Sequence, residues 1–158
     1  MTRPPLKNVG QSVRTRLTDK ARARGENAQL VMTRYAIERL LYRLSQSNYK
    51  EAFILKGAML FSLWAPVPYR ATGDLDLLGF GDAAPARMEA VFRELCTLEV
   101  GDDGVDFNAA SVTAQIARPE DEYSGVRVML MAMMAGARLP IQVDIGFGDV
   151  VTLSLIHI

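Results

Sequence analysis

The spacing of apolar residues differs between the two parts of this sequence, and that difference constrains the fold more than any other feature. In most of the chain up to about residue 98 apolar residues recur every three or four positions, which is the period of an amphipathic helix. After Val105 they fall on alternate positions, which is the period of a strand. A chain with this order is predicted to be α/β (α+β), with two N-terminal helices followed by a mixed sheet whose late strands are antiparallel. The predicted helices are 9–23, 28–44, 58–64 and 83–98; 52–55 is a short apolar segment, and the predicted strands are 75–80, 106–107, 111–117, 126–135 and 139–147.

Two polar residues are predicted to begin helices. Asn27 and Asp82 are the expected N-caps of the helices at 28–44 and 83–98, because short polar side chains accept hydrogen bonds from the first backbone N–H groups. In the helix at 28–44 the expected buried stripe is Leu30, Ile37, Leu41 and Leu44, widened by Tyr35 and Leu40. The expected solvent-facing residues are Arg34, Glu38 and Arg43.

Composition excludes several kinds of site. Cys96 is the only cysteine and His157 the only histidine, so neither an internal disulfide, a cysteine-based zinc cluster nor a histidine-based catalytic triad is expected. The 158 residues suit one ordinary globular unit. The sequence has no apolar leader at its start and no apolar run that could span a bilayer, so we expect a cytoplasmic protein without a membrane partner.

Charge is unevenly distributed although the formal net charge is zero. Lys and Arg predominate in residues 1–50, whereas acidic residues cluster in 73–106. A basic arm beside an acidic centre fits an anionic substrate that meets a metal site. The arm alone is equally well explained as the solvated face of a helix.

Asp74 and Asp76 are the first candidate site residues. Side chains two positions apart on a strand point to the same side, so the two carboxylates should lie next to each other at the start of the strand at 75–80. Like charges this close need compensation, and a divalent cation such as Mg²⁺ supplies it. The alternative is that such acids are turn residues or helix caps, which is common for an isolated Asp-x-Asp pattern.

Asp144 interrupts the apolar strand Ile141-Gln-Val-Asp-Ile-Gly-Phe. A buried acid on such a strand is costly unless it is paired or bound to a cation. If this strand lies beside the strand of Asp74 and Asp76, three carboxylates converge. The alternative is a solvent-facing Asp on an edge strand, since Gln142 and Asp144 share one side.

Two further segments could bind phosphate. Lys56-Gly57-Ala58 precedes a predicted helix, where a glycine lets phosphate approach the backbone N–H groups at the helix start. Arg70 and Thr72 stand just before the acid pair, and an Arg there could bind a phosphate with two hydrogen bonds. The alternatives are a plain strand–helix turn and a solvated loop arginine.

These segments, in this order and spacing, resemble the AbiEii/AbiGii toxin family of nucleotidyltransferases, which belongs to the DNA polymerase beta-like superfamily. The resemblance covers most of the chain. It rests on the blocks Phe53-Ile-Leu-Lys-Gly-Ala-Met-Leu-Phe, Arg70-Ala-Thr-Gly-Asp-Leu-Asp, Tyr123-Ser-Gly-Val-Arg-Val and Val143-Asp-Ile-Gly-Phe-Gly-Asp.

The resemblance implies a role for each matching residue. Asp74, Asp76 and Asp144 would be the catalytic metal ligands for Mg²⁺ (or Mn²⁺). The nucleotide-binding residues would be Lys56, Gly57, Ala58, Arg70 and Thr72. Ala58 stands where many superfamily members have a serine, so the backbone amides of the loop would bind more of the phosphate.

The resemblance also implies an activity and a division of the chain. The expected reaction is transfer of NMP from an NTP to an acceptor, with RNA such as tRNA as the acceptor and a cognate antitoxin as a partner. We expect an N-terminal helical segment at 1–50, a nucleotidyltransferase core at 51–152 and an apolar tail at 153–158. Family members continue into a further helical region, so the tail is expected to be a truncated end. The alternatives are a catalytically degenerate transferase fold that acts by binding a partner, and a phosphohydrolase that uses the same acids.

Overall fold

The computed structural model describes residues 8–56, 74–117, 125–147 and 156–157. In these ranges the chain forms three α-helices and six strands, with a short 3₁₀ turn at Lys50–Ala52. The helices are α1 (Val9–Arg24), α2 (Ala28–Ser45) and α3 (Pro85–Thr97). The strands are β1 (Phe53–Lys56), β2 (Asp74–Gly79), β3 (Asp106–Ala117), β4 (Gly125–Met134), β5 (Ala137–Phe147) and β6 (Ile156–His157).

The described strands form one mixed sheet in the order β3-β4-β5-β2-β1-β6. The β2–β5 pair is parallel and the other neighbouring pairs are antiparallel. The predicted class, a mixed sheet with helices before it, is therefore confirmed. Ile156 and His157, which belong to the expected tail, pair with β1 at one end of this order.

The main core lies between the helices and one face of the sheet. Alternation in β5 buries Leu139, Ile141, Val143 and Ile145, while the residues between them stay exposed or half-buried. Phe53 and Phe92 meet edge to face in this core, with ring centroids 6.2 Å apart. On the opposite face of β3, β4 and β5 the described side chains are exposed or half-buried.

Helix boundaries follow local chemistry closely. Gly25 ends α1 in the left-handed conformation at φ 66°. The Asn27 side chain accepts from Leu30 N–H, so the predicted N-cap is confirmed. The predicted cap at Asp82 is wrong, because α3 begins later. Ala84 is its N-cap without a side-chain hydrogen bond, and Asp82 instead accepts from the Ala84 N–H.

The predicted faces of α2 are partly wrong. Leu30 is exposed, whereas Arg43 is 6 % exposed and lies in the core region. Arg43 is buried because Asp103 accepts from its guanidinium at 2.8 Å and the Phe107 ring lies under it, 4.7 Å from the guanidinium carbon. Arg39 donates to the same carboxylate at 2.7 Å, so an ion-pair cluster joins α2 to the loop before β3.

The late strands also differ from prediction in extent. The segments predicted as separate strands at 106–107 and 111–117 form the single strand β3, whose pairing with β4 shifts register between Asn108 and Thr113. An irregularity of this kind interrupts the alternation of buried and exposed residues while the strands stay paired on either side of it, which explains why the sequence predicts two strands instead of one.

Candidate active site

Asp76 and Asp144 are register partners on the adjacent parallel strands β2 and β5. Asp74 lies one pleat away on β2 and is the partner of Gln142. Partners in a sheet project to the same side, so the three carboxylates share one face of two neighbouring strands. The condition on which their convergence depended, that these two strands lie side by side, is met.

The acids are on the accessible side of their strands. Asp74 is exposed, and Asp76 and Asp144 are half-buried, while the residues between them in the sequence are buried. The strand β5 is flanked by β4 and β2, so the alternative of an edge strand for Asp144 is wrong. An acid in the middle of a sheet needs local compensation of its charge.

The charge of Asp144 is compensated by two side chains, one on β4 and one on its own strand β5. The Arg127 Nε–H donates to Asp144 Oδ1 at 2.9 Å, and the Gln142 side-chain amide donates to Oδ2 at 3.1 Å. The Arg127 and Asp144 side chains are 38 % and 30 % exposed, so the pair is reachable from solvent. The hydrogen bond and charge of Asp144 raise the pKa of Arg127, and the charge of Asp74 raises it further.

Arg127 was not among the residues predicted from the sequence. It stands in the block Tyr123-Ser-Gly-Val-Arg-Val, but its spacing to the acids gives no sign of contact. The register of the β4–β5 hairpin places it opposite Asp144. That register follows from the two-residue turn at Ala135 and Gly136, where Ala135 has a φ of 47° and Gly136 one of 85°.

The donor chemistry of the acids fits a hard divalent cation, because Mg²⁺ and Mn²⁺ prefer carboxylate oxygens together with water and phosphate. Within the described ranges no three His, Cys, Asp or Glu side chains are grouped so as to hold a metal ion as they stand. Asp144 is turned to Arg127 and Gln142 in this conformation. A cation held by all three acids therefore requires Asp144 to exchange a hydrogen-bond partner.

Of the predicted nucleotide-binding residues, only Lys56 lies in a described element. It ends β1, and its register partner is Asp76. Gly57, Ala58, Arg70 and Thr72 lie outside the described residues, as does the predicted helix at 58–64.

A mixed α/β sheet that carries acids on adjacent strands is consistent with a nucleotidyltransferase-like fold. The chain belongs to the AbiEii family, described as nucleotidyl transferase AbiEii toxin of type IV toxin–antitoxin systems, whose model matches residues 39–157. The match includes Lys56, all three acids and Arg127, whereas α1 and the first part of α2 precede it.

No curated protein matches the chain. The family implies a cognate antitoxin as a partner. Among the helices that the structure describes, none is long and apolar enough to cross a membrane.

Proposed function

We propose that this chain is a Mg²⁺-dependent nucleotidyltransferase toxin that transfers NMP from an NTP to a hydroxyl group of RNA, such as tRNA, in the cytoplasm. The observation that carries the proposal is the register pairing of Asp76 with Asp144, with Asp74 one pleat away on the same face. Acids in a row on adjacent strands can hold a cation against a triphosphate that lies across the strands.

The reaction balances without a further reactant. The acceptor hydroxyl oxygen forms a bond to the α-phosphorus, the bond from that phosphorus to the bridging oxygen breaks, and pyrophosphate leaves. Asp74, Asp76 and Asp144 would hold the divalent cation, which supplies charge neutralisation at the triphosphate. Asp144 would also take the proton of the acceptor hydroxyl.

The remaining contacts to the nucleotide would come from the phosphate-binding segments. Lys56 and the backbone at Gly57 and Ala58 would bind phosphate oxygens, as would Arg70 and Thr72. Lys56 is the register partner of Asp76, so the segment that would bind phosphate begins next to the acids.

The position of α1 favours a polynucleotide as the acceptor. Arg16, Lys20 and Arg24 are exposed on this helix, and Arg14 donates to the Ala135 carbonyl at the turn of the β4–β5 hairpin. That turn lies about 25 Å along the strand from Arg127, at about 3.3 Å per residue. The helix lies on the core side of the sheet and the acids lie on the opposite side, so a substrate that contacts both must span more than this distance, as an RNA backbone can.

The test is transfer of label from each α-labelled NTP to total RNA in the presence of Mg²⁺. We expect labelling by the wild type and a fall of about a hundredfold or more for Asp76→Asn, because the electrostatic contribution of such a group is typically this large. Asp106→Asn is the matched control, since Asp106 is exposed on β3 and pairs with Met133, far from the acids along the strands. Equal labelling by the wild type and by Asp76→Asn would contradict the proposal.

A catalytically degenerate protein that acts by binding a partner is the second candidate. It is favoured by the hydrogen bonds that hold Asp144 to Arg127 and Gln142. Titration with Mn²⁺ and with Mg²⁺–NTP separates the two: binding that is lost in Asp76→Asn supports the enzyme, and binding that does not depend on the carboxylates supports the degenerate protein.

A further inference from the structure

Arg127 lies in a row of residues that crosses the sheet at one register level. The row runs from Gln115 on β3 through Arg127 on β4 and Asp144 on β5 to Asp76 on β2. Neighbours in such a row stand side by side on one face, about 5 Å apart. Arg127 is therefore the cation that stands beside the acids on their β4 side.

The Arg127–Asp144 contact is of a kind that exchanges readily. Both side chains are about one third exposed, and the contact is made through the single Nε–H at 2.9 Å. Ion pairs this accessible to water shift an equilibrium by roughly fivefold at most. Each of the two acids on β2 favours a divalent cation nearby, so the cation can displace the guanidinium from Asp144.

Arg127 remains near the acids when it leaves Asp144. The charge of Asp74, on the far side of β5, already acts on the guanidinium. A triphosphate bound to a cation on these acids would lie over β2 and β5, next to Arg127 on β4. A guanidinium freed from a carboxylate binds phosphate with the same planar donor geometry.

We propose that Arg127 exchanges partners during substrate binding: it donates to Asp144 in the metal-free protein and to a phosphate oxygen of the nucleoside triphosphate once a divalent cation occupies Asp144. This inference rests on the proposed nucleotidyltransferase function, whose acids it uses. The exchange gives Arg127 two opposite effects. Its side chain lowers the affinity for the cation, with which it competes for Asp144, and raises the affinity for the nucleotide, to which it donates.

The experiment measures both effects on Arg127→Gln. Binding of Mn²⁺ alone is followed by electron paramagnetic resonance of the free ion, and we expect a dissociation constant about threefold to fivefold lower than that of the wild type. Binding of a non-hydrolysable NTP analogue at saturating Mn²⁺ is followed by calorimetry, and we expect a dissociation constant about tenfold higher, because a charge-assisted hydrogen bond is lost.

Arg138→Gln is the matched control for charge. Arg138 lies on the same face of β5, is exposed, and is six residues from Asp144, which is about 20 Å along the strand. It should change neither constant by more than about twofold. Arg127→Lys should recover part of the nucleotide affinity, because it keeps the charge and loses the planar donor geometry.

The outcomes separate this inference from the proposal on which it rests. Opposite shifts for Arg127→Gln, absent in Arg138→Gln, support the exchange. Weaker binding of both Mn²⁺ and the NTP analogue by Arg127→Gln would overturn the exchange. Equal shifts of the dissociation constants in Arg127→Gln and Arg138→Gln would also overturn it. RNA labelling and Mn²⁺ binding by the wild type with no change in Arg127→Gln would overturn the exchange alone. Absence of Mn²⁺ binding in all variants would overturn the metal site and the exchange together.

Discussion

Replacement of Asp103 by Asn should destabilise the protein by about 2–3 kcal/mol. The Asp103 carboxylate is 8 % exposed and accepts from Arg43, which is 7 % exposed, and from Arg39, which is 27 % exposed. Removing one partner of a buried ion pair costs about 3–5 kcal/mol because the other charge stays buried. We expect less here, since the amide oxygen of Asn still accepts one hydrogen bond and Arg39 can turn to water.

The measurement is urea unfolding followed by far-ultraviolet circular dichroism. With a slope of about 2 kcal/mol per molar urea, the loss corresponds to a midpoint lower by about 1–1.5 M. Asp102→Asn is the control, because Asp102 is exposed and its Oδ1 accepts from the Gly104 N–H at 3.0 Å, which Asn can also do. We expect the control to stay within about 0.5 kcal/mol of the wild type.

The same variant has a predictable pH dependence. Burial raises the pKa of Asp103, but hydrogen bonds from Arg43 and Arg39 outweigh burial, so the pKa lies below its ordinary value of 3.8. A carboxyl whose pKa is lowered by folding stabilises the native state above the unfolded-state pKa, and this contribution is lost as the pH falls through the folded-state pKa. The difference between wild type and Asp103→Asn should therefore shrink below about pH 4. A cost equal to that of Asp102→Asn at pH 7, or unchanged at pH 3, would refute the reasoning.

Two further predictions concern backbone packing and thiol reactivity. Gly125→Ala should lower the stability by about 1–3 kcal/mol in a thermal melt, because a Cβ there would lie 2.6 Å from the Ile145 carbonyl oxygen. Gly101→Ala, where a Cβ meets nothing within 4 Å, should be near neutral, and equal melting temperatures for the two variants would contradict the prediction. Burial raises the pKa of Cys96 from 9.0 to about 11, so at pH 8 iodoacetamide should modify it about a hundredfold more slowly than an ordinary thiol; urea should abolish the protection, and rapid modification of the folded protein would contradict the burial argument.

Local chemistry accounts for the parts of the fold that the sequence predicts well. The N-cap at Asn27, which is confirmed, depends on residues within one turn of it. The faces of α2 are harder, because Arg43 is buried only through Asp103, which lies far away in the sequence. The polarity of an arginine side chain predicts a solvent-facing position, whatever its distant partner.

The candidate site shows the same limit. The alternation around Asp74, Asp76 and Asp144 is a local property, and the burial of each strand follows it. The contact between Arg127 and Asp144 depends on hairpin register. A hairpin turn at Gly136 and Ala137 would place Arg127 opposite residue 146. The observed turn is one residue earlier, and the partner of Arg127 is therefore Asp144.

The parallel pairing of β2 with β5 also has a consequence for the order of folding. Asp76 and Asp144 are neighbours only because strands from distant parts of the sequence pair, and contacts of such high sequence separation form slowly. The β4–β5 hairpin, whose contacts are local, can form earlier and already joins Arg127 to Asp144. We therefore expect a folding chain to carry a neutralised Asp144, and no row of acids, until β5 docks beside β2.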